Sequence, residues 1–114
     1  NMLLAKTLLK KLIPNALIHS AQDGIEAVAI FEKTTLDIIL MDIQMPKKNG
    51  YEAASEIRSS SKGQHIPIIA LTAGIMSGEK EKCLEVGMND YLSKPIIYKE
   101  LSVVLQKWII TAST

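Results

Sequence analysis

Three short runs of strand-forming residues, each closed by a reactive polar group, constrain this chain more than any other feature. Ile38-Ile39-Leu40-Met41 ends in Asp42, Ile66-Pro67-Ile68-Ile69-Ala70-Leu71 ends in Thr72, and Tyr91-Leu92-Ser93 is followed by Lys94. Nearly unbroken apolar runs suit strands covered on both faces, as in parallel sheets. Helical patterns separate them and no hairpin signal or repeat is present, so the alternation implies right-handed crossovers and a parallel sheet between helical layers. Side by side, such strands bring an acid, a hydroxyl and an amine together at the carboxyl edge, where open α/β sheets place their chemistry. An anionic acceptor beside a fixed cation and a hydroxyl donor suits phosphoryl transfer, in which the protein contributes mainly position and charge.

The segments between the runs read in order. Leu4, Leu8 and Leu12, with Ala5 and Leu9, share one helical face over residues 1–13, and Pro14-Asn15 ends that helix. Ala16 to Ala21 reads as a short strand. Asp23-Gly24 then opens a helix with Ile25, Val28 and Ala29 inward. Asp37 to Asp42 is a central strand, followed by a loop, Ile43 to Asn49, shaped by Met45-Pro46. Asn49 and Glu52 have the spacing of a capping box, so a helix is expected over Gly50–Ser60. Ile66–Thr72 is a buried strand. Ser77 is expected to cap the next helix and Gly87 to end it. Asp90–Ser93 is a brief strand, and Ile97, Leu101, Val104, Leu105, Trp108 and Ile109 mark the inward stripe of a last helix.

The 114 residues suit one domain. A formal charge of +1, with lysines scattered and no aromatic residues among them, gives no electrostatic reason to expect nucleic acid or an anionic membrane. No apolar stretch approaches the roughly 18 residues needed to cross a bilayer. Cys83 is the lone cysteine, so no internal disulfide can form and a reducing, cytoplasmic setting is natural. It reads as a buried structural thiol. His19 and His65 lack metal-ligand spacing, and Glu79-Lys80-Glu81-Lys82 reads as a solvated helix face. The series begins Asn1-Met2 on a helix, so the first strand of an expected five stands outside the chain as given.

Three segments carry a family likeness. Asp37–Gly50, DIILMDIQMPKKNG, resembles the phosphoacceptor loop of response-regulator receiver domains in two-component signalling. Pro67–Ala73, PIIALTA, and Gly87–Ile96, GMNDYLSKPI, are similar to that family's second and third signatures, in the same order. The wording is most similar to receivers of hybrid sensor histidine kinases. The likeness implies a flavodoxin-like doubly wound parallel sheet of order 2-1-3-4-5 in a single domain. Asp42 would be the phosphorylated residue. Thr72 would hydrogen-bond the phosphoryl oxygens and Lys94 would pair with one of them. Tyr91 would be an aromatic switch, Ala73 would leave room for the donor, and Lys94-Pro95 would carry a cis peptide. Magnesium would be held by Asp42, by the backbone carbonyl of Gln44 and by an acidic pair upstream of Asn1 that this chain does not include. The implied donor is a histidine kinase or a histidine phosphotransfer domain, and the implied output or homodimer face draws on residues 77–110.

Three other functions compete. A small aspartyl-phosphate phosphatase favours a second acid two residues after the nucleophile, where this chain has Gln44. A flavodoxin-like redox module needs a phosphate-cradling loop after its first strand. A pseudo-receiver would bind partners without phosphorylation, and the upstream acidic pair discriminates it from an active one.

Overall fold

The Ile68–Thr72 run is buried at every position, which makes it the centre of the sheet seen in this computed structural model. The structure describes residues 9–15, 17–73 and 78–110. Residues 9–12 are helical. The elements that follow are α1 (Gly24–Lys33), β1 (Ile39–Asp42), α2 (Gly50–Ser59), β2 (Ile68–Thr72), α3 (Glu79–Glu85), β3 (Asp90–Ser93) and α4 (Tyr98–Leu105). The last helix continues as a π-helical turn over Gln106–Ile110.

The described strands form one parallel sheet in the order β1-β2-β3. Asp42 stands opposite Leu71, and Thr72 opposite Ser93. Because side chains alternate along a strand, β2 feeds two cores. Ile68 and Ala70 pack with Phe31, Ala54, Ile57 and Cys83 on one face, while Ile69 and Leu71 pack with Leu101, Val104 and Leu105 on the other. Burial on both faces is what the apolar runs require.

Helix ends follow local chemistry. The Asp23 carboxylate accepts the Glu26 N–H at 2.8 Å and caps α1. At the other end of α1 the Lys62 ammonium donates to the carbonyls of Phe31 and Thr34, both at 2.9 Å. The expected capping box is present: Asn49 accepts from Glu52 N–H, and Glu52 accepts from Asn49 N–H. Gly87 has φ of +93°, the left-handed conformation expected of a helix-ending glycine.

Several expectations need correction. Residues 17–21 form no strand, and Leu17 is 88 % exposed. A strand needs a ladder, and among the described residues β1 pairs only with β2, so nothing offers this segment its hydrogen bonds. Three strands are therefore described where four of the expected five were placed within this chain. Ile25 is 54 % exposed, because the inward stripe of α1 is Gly24, Val28 and Phe31. Its phase is set by Gly24, whose N–H bonds the Lys48 carbonyl at 2.9 Å with no room between them for a side chain. β2 starts at Ile68 and not at Ile66, since Pro67 brings no N–H to a ladder. Ser77 lies outside the described residues, and the N-cap position of α3 belongs to Gly78, which offers no side-chain cap. Ile97 occupies the N-cap of α4 and is exposed, so the inward stripe begins at Leu101.

Candidate functional site

The carboxyl ends of the three strands gather the residues singled out in the sequence. Asp42 is the last residue of β1, Thr72 the last of β2, and Lys94 follows the last of β3. Backbone hydrogen bonds carry the sheet just past these ends. Ile43 N–H donates to the Leu71 carbonyl at 3.1 Å, and Lys94 N–H donates to the Thr72 carbonyl at 2.7 Å. These bonds fix where each side chain starts.

Lys94 Nζ donates to Asp42 Oδ2 at 2.6 Å, with both side chains about 30 % exposed. The other carboxylate oxygen, Oδ1, accepts the backbone N–H of Gln44 at 3.1 Å. The acid is thus anchored from two sides while its oxygens remain reachable from solvent. Thr72 is 2 % exposed, and its Oγ1 has no hydrogen-bond partner among the described residues. A buried, unmatched hydroxyl costs about 1–3 kcal/mol, so its presence at this edge calls for a reason.

The remaining expected residues fall nearby in sequence but differ in environment. Tyr91 sits half-buried in β3 against the core that contains Ile68 and Ala70. Ala73 is exposed directly after β2. Lys94-Pro95 is a cis peptide. Gln44 is exposed in the loop after Asp42. Among the described residues no group of three or more His, Cys, Asp or Glu side chains is placed to hold a metal ion.

Gly50 explains why the loop after Asp42 has its length. Its N–H bonds the Ile43 carbonyl at 2.9 Å, and a Cβ here would lie 2.3 Å from the Asp42 carbonyl oxygen. Helix α2 therefore starts against the backbone of the acid itself.

Sequence reasoning missed Tyr51 and Lys82. Together with Ile43, Gln44, Met45, Asn49, Gly78 and Glu79 they line an open cavity of about 730 Å³ next to the acid. Lys82 Nζ lies 4.6 Å from the centre of the Tyr51 ring, within cation–π range. The Tyr51 hydroxyl and the Cys83 thiol each perturb the other's titration. Burial is the main cause that pushes both up, with Glu79 adding in the same direction. Cys83 is therefore a protonated core thiol, as its lone helical position suggested. Only the pattern Tyr51…Lys82-Cys83 hinted at this contact, and nothing in it marks thirty residues of separation as adjacency.

Comparison with known proteins agrees with this geometry. Residues 1–106 match the family model described as the response regulator receiver domain. The sensor protein GacS of Pseudomonas syringae pv. syringae is 40 % identical over 111 residues, which cover 95 % of this chain and 12 % of GacS. The hybrid signal transduction histidine kinase I of Dictyostelium discoideum is 42 % identical over 120 residues, covering 96 % of this chain and 7 % of that protein. The chain thus spans a small fraction of the length of these kinases. Among solved structures, the receiver domain of sensor histidine kinase PA1611 from Pseudomonas aeruginosa PAO1 superposes with a TM-score of 0.86 at 43 % identity. The match covers 96 % of this chain and 88 % of that one, and that receiver was crystallised with a magnesium ion in its active site cleft. A match along nearly the whole chain, on a sheet whose carboxyl edge pairs Asp42 with Lys94, makes this chain a member of the response regulator receiver domain family.

Proposed function

We propose that the chain accepts a phosphoryl group from a phosphohistidine onto Asp42 and uses the modification to switch a surface that other domains read. The observation that carries this reading is the buried Thr72 hydroxyl, without a partner among the described residues and at the same sheet edge as the 2.6 Å Lys94–Asp42 pair. In the transfer an Asp42 carboxylate oxygen attacks phosphorus, the phosphorus–nitrogen bond of the donor breaks, and the imidazole leaves with the bond's electron pair. Lys94 already neutralises the acid, so it is in place to follow the charge onto the incoming oxygens. Thr72 then finds the acceptor that it lacks in the unmodified chain. Ala73, with its small side chain, leaves the approach open. Water later hydrolyses the acyl phosphate and restores the carboxylate.

Magnesium fits this site in one form. The described residues would offer it the Asp42 carboxylate and the Gln44 carbonyl, beside the acidic pair expected upstream of Asn1. When bound, the ion offsets the repulsion between the acid and the phosphoryl group. The donor proposed is a histidine kinase or a histidine phosphotransfer domain, and the setting is the cytoplasm, within a hybrid kinase like the relatives. Among the described residues no helix is long and apolar enough to cross a membrane. The output face proposed runs through residues 77–110, where Leu84, Ile97, Tyr98 and Val103 are exposed. Movement of Thr72 toward the phosphoryl group would free space for Tyr91, the switch.

The test is labelling by acetyl phosphate with magnesium, read on a phosphate-affinity gel. Asp42→Asn is expected to abolish labelling, and Tyr91→Ala to keep labelling while impairing signalling in a reconstituted relay. Labelling that survives the loss of Asp42 would refute the acceptor assignment.

A further inference from the structure

Strand β3 carries Tyr91, leads into Lys94 and is the last strand of the described sheet. The Lys94 N–H points back to β2, bonding the Thr72 carbonyl. Tyr91, three residues earlier, has its own backbone N–H to satisfy. It is not left open. Asp90 Oδ1 accepts the Tyr91 N–H at 2.9 Å. The second oxygen, Oδ2, accepts the Trp108 indole N–H at 2.9 Å and faces the Lys107 ammonium at 3.7 Å. Lys107 Nζ also lies 5.3 Å from the centre of the Trp108 ring. A single carboxylate thereby joins the backbone of the switch residue to two adjacent residues of the last helix.

Those two residues lie where the helix changes its winding. The α-helix Tyr98–Leu105 gives way to the π-helical turn Gln106–Ile110. Such turns are rare and cluster at functional positions. The wider winding changes the direction in which residues beyond Leu105 point. Here the Trp108 indole N–H reaches Asp90 while the ring packs with Ile109 against the Leu101 and Leu105 core. A charge-assisted bond to the indole holds this end of the helix to strand β3.

We infer that Asp90 is a positioning residue for Tyr91, and that its bond to Trp108 couples strand β3 to the end of the last helix. A change at the acceptor edge is thereby carried to residues 106–110. This rests on phosphorylation of Asp42 as proposed above. The experiment measures amide hydrogen exchange across residues 106–110 before and after acetyl phosphate and magnesium, with the labelled fraction read in parallel on a phosphate-affinity gel. In the parent chain labelling is expected to change exchange at 106–110 severalfold. Trp108→Phe, which keeps the ring and loses the N–H, is expected to label at the parent rate and lose that response. Should it fail to fold, Asp90→Asn, which keeps an acceptor oxygen and loses the charge, is expected to weaken the response.

A parent chain that is labelled but shows no change at 106–110 overturns the coupling and leaves the acceptor reading standing. So does Trp108→Phe exchange that is faster by the same factor in both phosphorylation states, the mark of a merely structural clasp. No labelling of the parent at all overturns the acceptor reading, and the coupling with it.

Discussion

The two ends of the same sheet treat polar groups in opposite ways. At the amino end a cluster around Asn89 and Arg58 is matched. Asn89 N–H donates to the Ile68 carbonyl at 2.8 Å, and Asn89 Oδ1 accepts both Ile68 N–H at 2.9 Å and Arg58 Nη2 at 2.6 Å. The rest of the Arg58 guanidinium donates to the carbonyls of Gly87 and Gly63, each at 2.8 Å. Burial lowers the pKa of Arg58 below the usual arginine value, yet the group stays a cation because neutral oxygens surround it. At the carboxyl end a buried hydroxyl has no partner among the described residues, and a solvent-reachable acid is held by Lys94 and the Gln44 N–H. Polar groups that are fully matched hold a fold together. One left unmatched at a sheet edge calls for a reason, and the proposed phosphoryl ligand supplies it.

The largest effect that would break this contrast is at Arg58. Arg58→Ala removes three hydrogen bonds, leaves the Gly63 and Gly87 carbonyls without that donor, and is expected to lower stability by about 3 kcal/mol in urea unfolding, with bonds from a charged donor worth roughly 1.5–3 kcal/mol each and less than additive. Labelling per folded molecule should be unchanged. If labelling falls with stability intact, the amino end does more than hold the fold. Thr72→Val should do the reverse: removing the unmatched hydroxyl with an isosteric side chain should raise stability by about 1 kcal/mol and slow labelling. A drop in stability would mean that the hydroxyl is bonded in solution and would erase the comparison. The smallest effect concerns Cys83. Burial, with a smaller contribution from Glu79 and against the opposing effect of Tyr51, raises its pKa above the ordinary 9.0. Above that value the unfolded chain loses the thiol proton first, so stability should decline as pH rises further. Below it Cys83 should contribute no pH dependence. Native alkylation by iodoacetamide should accordingly be far slower than in urea.

What the sequence revealed, and what it hid, follows the same division. The acid, hydroxyl and amine were legible because each ends a run whose apolar content already demanded a buried strand, and parallel strands bring their ends to one edge. The Asn49–Glu52 box and Gly87 were legible because their chemistry is local, within four residues. Tyr91 and Ala73 owed their assignment to the family signatures. The Arg58 latch was invisible, since its acceptors are mostly backbone carbonyls that any residue could supply. Phe31 was missed in favour of Ile25 because the phase of a short amphipathic helix is set by a contact with residue 48, far along the chain. The strand expected from Ala16 to Ala21 had strand-like residues, but among the described residues 17–21 find no strand to pair with. Pattern tells which face a segment wants to bury. It does not tell whether a partner is there.

The junction at Gly50 has a consequence for how the site can vary. Every other amino acid adds at least a methyl-sized atom, and that atom would land on the carbonyl of the acid itself. Position 50 is therefore closed to larger residues, and a helix whose first residue touches the backbone of Asp42 cannot slide without dragging Asp42 along.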